Sequence, residues 1–349
     1  MPDSATHEEH GVAGALLGET LEGGYRVIRK LPWSVDHPER NRSCCYEAVG
    51  PSGEKYFVKA YDFRHEERSG KLEDLVAAGR QFISEKDIHS KASTLRRSTH
   101  LVSHGTINIG SETAHYLVSE WVDVCLKRRR PAGRGHATAE QRFIDLRQVC
   151  SSLIQLHRSG IAHQDVKPSN VMVDPVGVLK MTDYGVSTCS DLAPPPSDSE
   201  MVPGDVNFAP FESLYAQRTG SWRRQRLGGD MFMLGNLCFY SFSGLPIAQV
   251  ALSMLPPELQ PASATVDYSD IVPHIIKSMS ELVESVLEGA GLQDEIRDEV
   301  VRLVLELCHP DPRFRGDARD RARNATYELQ RYESAFERLR LKSRRFQHQ

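Results

Sequence analysis

The residues whose types and order suit chemistry lie in one run, His163-Gln164-Asp165-Val166-Lys167-Pro168-Ser169-Asn170, and in Asp183-Tyr184-Gly185, eighteen positions beyond Asp165. A carboxylate such as Asp165, set beside a hydroxyl, orients it and takes its proton as a new bond forms to the oxygen. Lys167 stands two residues on. Alternate side chains of an extended stretch point the same way, so its ammonium reaches charge gathering at the same centre. Asn170 and Asp183 offer an amide oxygen and a carboxylate, hard donors of the kind Mg²⁺ prefers, with phosphate and water oxygens completing an octahedron. Singly, each residue reads as loop chemistry: a cap, a solvated lysine, a turn. The order and spacing of all four carry the signal.

Together they resemble the catalytic loop and metal motif of eukaryotic-type Ser/Thr protein kinases, HRDxKxxN followed by DFG. The resemblance covers about Tyr25 to Asp320 and implies catalytic roles for Asp165 and Lys167, metal ligation by Asn170 and Asp183, and ATP and Mg²⁺ as cofactors. It also places Lys59, in Phe57-Val58-Lys59, on the α- and β-phosphates, with Glu85 as its ion-pair partner. Ser119-Glu120-Trp121-Val122 is similar to a gatekeeper and hinge, which puts Glu120, Val122 and Met172 around the base. Pro210-Phe211-Glu212 stands where the family has Ala-Pro-Glu, with Arg315 as its buried partner, and Asp230 where an Asp bonds the catalytic-loop backbone. The implied fold is α+β and bilobal, with nucleotide between the lobes, and the implied reaction is phosphoryl transfer to Ser or Thr hydroxyls of a protein. Small-molecule phosphotransferases lack the Lys167, Pro-Phe-Glu and Asp230 features. The alternative reading is a pseudokinase scaffold with weak or no ATP turnover.

Several positions depart from the family pattern. Between Leu31 and Tyr46 there is no glycine to fold backbone N–H groups over phosphates. Arg40 or Arg42 could serve instead, or lie in a solvated loop. Phe57 occupies the place of a small residue above the adenine: either Ala48 and Ser119 make room for it or Phe57 stacks on the base, and failing both, ATP is excluded. His89 is polar where an aliphatic residue is expected. Gln164 replaces an arginine that would pair with an activation-loop phosphate, so phosphorylation of Ser187, Thr188, Ser190, Ser197 or Ser199 is not expected to be required. Asp205 replaces a Thr; its carboxylate can bond Lys167 but repels Asp165.

Holding these groups calls for a framework, and periodicity supplies one. After a tail, residues 1–24, strand-like runs cover Tyr25–Leu31, Ser43–Val49 and Lys55–Tyr61, the last two joined by Gly50-Pro51-Ser52-Gly53. A helix over Leu72–Ser93 and strands over Leu101–Ile107 and Ala114–Val122 complete a five-stranded antiparallel small lobe, residues 25–122. Residues 123–320 form a mainly helical lobe. It opens with the charged run Lys127–Arg130, read as a solvated loop, and with a capping signal at Thr138-Ala139-Glu140-Gln141. Met231–Leu255 reads as a buried core helix and its exit loop, too often interrupted to span a bilayer. From Ala318 a seam of Ala322, Ala325, Leu329, Tyr332, Phe336 and Leu339 marks a basic amphipathic helix over residues 321–349. It is expected to pack on its own domain, with self-association as the alternative.

Composition narrows the classes. With 43 basic and 47 acidic residues the net charge is −4, so no global field draws the chain to nucleic acid or to a membrane, and neither is an expected partner. Hydrophobic residues at 40% and charged residues at 26% fit a folded globular chain rather than a disordered one. The seven cysteines include no Cys-x-x-Cys pair, which favours reduced thiols and a cytoplasmic setting. The first nineteen residues lack the basic start and apolar run of a signal peptide, so export is not expected.

Overall fold

The computed structural model describes residues 12–32, 43–61, 63, 71–129, 137–200, 202–218 and 220–346. The chain divides into two compact units, Met1–Val122 and Asp123–Gln349.

The first unit is built on β1 (Thr20–Leu21), β2 (Tyr25–Lys30), β3 (Ser43–Val49), β4 (Lys55–Tyr61), β5 (Leu101–Ile109) and β6 (Glu112–Glu120), with α1 (Leu72–Ala92) between β4 and β5. One sheet runs β1-β2-β3-β4-β6-β5, and every neighbouring pair is antiparallel. Gly53 at φ 93° closes the β3–β4 turn, and Gly110 at φ 65° a two-residue turn between β5 and β6, conformations a side chain would oppose. Strand alternation sends Val27, Tyr46, Ala48, Val58, Ala60, Ala114, Tyr116 and Val118 to one face, where they form the core. The other face of β4 carries Phe57 and Lys59.

Two expectations are corrected here. Residues 12–24 are no tail: Val12, Ala13, Leu16 and Leu21 are buried on that core face. The Tyr46 hydroxyl donates to the Ala13 carbonyl, and the Tyr116 hydroxyl accepts from Glu22 N at 3.1 Å. The sheet therefore has six strands rather than five, because glycines 18, 23 and 24 take positive φ and let so short a segment turn back onto β2.

The second unit contains β7 (Val124–Cys125), α2 (Ala139–Arg158), β8 (Ile161–Ala162), β9 (Val171–Val173), β10 (Leu179–Met181) and β11 (Thr188–Cys189). It continues through α3 (Gly228–Ser243), α4 (Ile247–Ser253), α5 (Tyr268–Glu288), α6 (Asp294–Leu307), α7 (Ala318–Ala322) and α8 (Gln330–Phe346). Thr138 caps α2, its hydroxyl accepting from Gln141 N at 3.1 Å. Gly244 ends α3 at φ 79°, and the path turns 81° into α4. Among the described residues no single helix is long and apolar enough to cross a membrane.

The carboxy-terminal helix is shorter than expected. Asn324 at φ 59° and Tyr327 at φ 71° break the path between α7 and α8, while the Tyr327 hydroxyl donates to the Pro312 carbonyl at 2.8 Å. Ala322 is exposed, so the seam is not continuous. Tyr332, Phe336 and Leu339 are buried on α8, which packs against α2 within its own unit.

Candidate functional site

The β8–β9 connection carries Asp165, Lys167 and Asn170, and Asp230 at the start of α3 sets its shape. The Asp230 carboxylate accepts from His163 N and Gln164 N, both at 2.8 Å, and lies 2.9 Å from His157 Nε2. Burial alone would raise the pKa of this fully enclosed group, but His157, His163 and the Gln164 amide hold it below the ordinary aspartate value. These bonds stabilise a loop in which Gln164 adopts φ 66°, a conformation costing a non-glycine residue about 1–3 kcal/mol.

Around Asp165 the polar groups converge. Asp205 N donates to its Oδ1 at 2.9 Å, Asn170 Nδ2 to its Oδ2 at 2.7 Å, and Lys167 Nζ stands 3.1 Å from Oδ2. Lys167 is shared, lying 3.4 Å from Asp205 Oδ2. The close approach of the Asp205 segment requires glycine at 204: a Cβ there would come within 2.6 Å of the Gln164 carbonyl and 2.8 Å of Asp165 Oδ1. Asn170 spends its amide N–H groups on Asp165, donating also to the carbonyl at 3.0 Å, which leaves its Oδ1 as the donor atom for a cation. Asp183 is exposed at φ 64°, and its charge adds to the field at Lys167. An amide oxygen and a carboxylate fit Mg²⁺ completed by phosphate and water oxygens. Among the described residues no three His, Cys, Asp or Glu side chains form a metal cage, and a cation held in this shared way needs none.

In the first unit Lys59 Nζ lies 2.8 Å from Glu85 Oε1, the carboxylate being buried on α1. Phe57 pairs in register with Ser119 on β6 and with Glu47 on β3. Ala48 makes no room for it, contrary to expectation, because strand alternation turns Ala48 into the core on the opposite face. Glu47 is buried between Arg29 and Lys55, the latter at 2.9 Å. Glu120 turns its carboxylate to His100 N at 2.9 Å, so any reading of a base at this position falls to the backbone. His89 is satisfied inside its unit, Nε2 lying 3.0 Å from the Thr99 carbonyl. Val122 closes the first unit, and Met172 is the half-buried middle residue of β9 between buried Val171 and Val173. Most of the glycine-free loop, with Arg40 and Arg42, and Arg130 of the basic run lie outside the described residues.

Downstream, Arg315 is fully buried and holds Glu212 with both terminal nitrogens, at 2.8 and 2.7 Å. Ser187 is also buried, its hydroxyl donating to the His163 carbonyl at 2.9 Å. Sequence reasoning passed over His157, Gly204 and Arg226. Only Gly204 carried a local signal, a glycine one residue before Asp205; the other two act through partners 73 and 62 positions away.

These features are those of the protein kinase domain. A family model for the protein kinase domain matches residues 41–324, most of the sequence, and the chain belongs to that family. Serine/threonine-protein kinase PknA of Mycobacterium tuberculosis is 25% identical over 271 residues, covering 70% of this chain and 54% of PknA. Serine/threonine-protein kinase PrkC of Bacillus subtilis is 25% identical over 130 residues, 37% of this chain and 19% of PrkC. The chain thus spans about half the length of PknA.

Proposed function

We propose that this chain transfers the γ-phosphoryl group of ATP to a Ser or Thr hydroxyl of a protein substrate. The carrying observation is the bonded cluster of Asp165, Lys167 and Asn170 on a loop pinned by Asp230. Asp165 orients the acceptor hydroxyl and takes its proton as the oxygen–phosphorus bond forms and the bond to the departing ADP oxygen breaks. Lys167, an ammonium held ready by two carboxylates, offsets charge on the transferring group. Lys59, aligned by Glu85, grips the remaining phosphates. Mg²⁺ bound through Asn170 and Asp183 would neutralise phosphate charge. The names of the relatives support a Ser/Thr acceptor.

Incubation with labelled ATP, Mg²⁺ and a generic basic protein tests the reading. Asp165→Asn is expected to lower incorporation by about 100-fold or more, and mass spectrometry of the product to show phosphoserine or phosphothreonine. Equal incorporation by both proteins removes Asp165 from its role.

A further inference from the structure

The reaction above makes no use of Arg226, which is only 4% exposed although it carries a guanidinium. A buried cation needs partners, and those of Arg226 are specific. It lies on the π-helical turn Arg223–Leu227 that leads into α3. Its Nη1 donates to Gln164 Oε1 at 3.1 Å, and Gln164 Nε2 returns a bond to the Arg226 carbonyl at 2.8 Å. Its Nη2 donates to the Asp198 carbonyl at 2.9 Å and pairs with the Asp198 carboxylate. Asp198 sits on the short turn Pro196–Ser199, where Arg218 Nη2 also reaches the Ser199 carbonyl at 2.8 Å.

One planar fork therefore joins two stretches of chain. Gln164 immediately precedes Asp165, and its left-handed backbone is a conformation that the surrounding contacts must hold. Beyond the turn, the same stretch continues to Gly204 and Asp205, which pack against Asp165. A lysine could not make both sets of contacts, since its single nitrogen lacks the spread of the guanidinium.

We propose that Arg226 is a positioning residue: through Gln164 and Asp198 it fastens the 196–200 segment to the loop that carries Asp165. The anion in this clamp is a carboxylate built into the chain, so the segment is set without an added phosphate. The consequence for turnover rests on the proposed function; the clamp itself does not.

Hydrogen–deuterium exchange of the full chain, read over 187–204, tests it. Arg226→Gln and Asp198→Asn are expected to speed exchange in this segment about tenfold or more, the scale of a lost charge-assisted hydrogen bond. Arg226→Lys should not rescue protection, whereas Asp198→Glu, which keeps the charge, should retain it. Arg223→Gln, an exposed neighbour on the same turn, should change nothing. In the kinase assay the two disruptive variants should lower kcat about tenfold, with KM for ATP within about twofold. Wild-type protein stripped by phosphatase, and shown phosphate-free by mass spectrometry, should keep its rate. Unaltered exchange in Asp198→Asn, whose partly exposed site tolerates the change, overturns the clamp even if Arg226→Gln fails to fold. Loss of rate on dephosphorylation overturns the phosphate-free setting. A chain that phosphorylates nothing removes the proposed function, while exchange still decides the clamp.

Discussion

Lys167 shows how a single charge is set by its neighbours. Burial acts to lower its pKa, but Asp165 and Asp205, with Asp183 beyond them, outweigh burial and leave it above the ordinary lysine value. The stability its charge contributes is present in full below that ordinary value and is lost only as pH rises through the raised one. Asp205→Asn takes away one opposing charge, so the alkaline limb of the rate profile should move to lower pH; a limb that stays in place would mean Asp205 does not act on Lys167. His115 behaves in the opposite sense. Desolvation beside Phe63 and Phe82 lowers its pKa, so the unfolded chain binds the extra proton first. Stability is present above the usual histidine value near 6.5 and falls as pH drops below it. His115→Phe should therefore narrow the difference between melting midpoints at pH 7.5 and 5.5, and an unchanged difference would refute the assignment. At this scale the sequence marked Asp165, Lys167 and Asn170 by type and spacing, and these three side chains do meet in the structure. It was silent at Arg226, because an arginine in a polar run has no local mark that it will be buried.

At the scale of elements, periodicity located strands β2 to β6 and helices α1 and α2 because each buries one face, while α5 and α6 stayed without bounds inside a lobe read only as mainly helical. It failed where an element is too short for a period or where a backbone angle decides. Strand β1 has two residues, and Asn324 ends α7 by adopting a left-handed conformation that asparagine tolerates. Residues 12–24 and helix α8 lie outside the matched kinase domain, yet both fill core positions: Leu16 and Leu21 over the sheet, Tyr332, Phe336 and Leu339 over α2. The carboxy-terminal helix is therefore part of the second unit's core, and its apolar seam is already covered by the chain itself. Phe336→Ala should cost about 3–5 kcal/mol, a large fraction of a typical domain's stability. Leu341→Ala, on the exposed side of the same helix, should cost under about 0.5 kcal/mol. Equal shifts of the denaturation midpoint in the two variants would show that α8 does not dock as described.

At the scale of the whole molecule, long-range polar ties join distant stretches of chain, and the Glu212–Arg315 pair links groups 103 positions apart. Its components were recognisable from their motifs; that Arg315 also donates to the carbonyls of Gly228 and His309 was not, since backbone acceptors leave no trace in residue type. Burial opposes the Arg315 charge and Glu212 more than restores it, leaving the guanidinium pKa raised. Glu212→Gln should therefore strand a fully enclosed cation and cost about 3–5 kcal/mol. Arg315→Met should be as damaging, leaving the carboxylate without its cation and two carbonyls without a donor. The double variant removes both charges, so its loss should be clearly smaller than the sum of the single losses, by 1 kcal/mol or more on the scale of coupled neighbours, about 0.5–3 kcal/mol. Urea denaturation of the four proteins measures this coupling. Strict additivity would mean that the pair does not act as a unit, and that the end of the 204–212 segment is held instead by the apolar contact of Phe211 with Phe232, whose rings lie 5.2 Å apart.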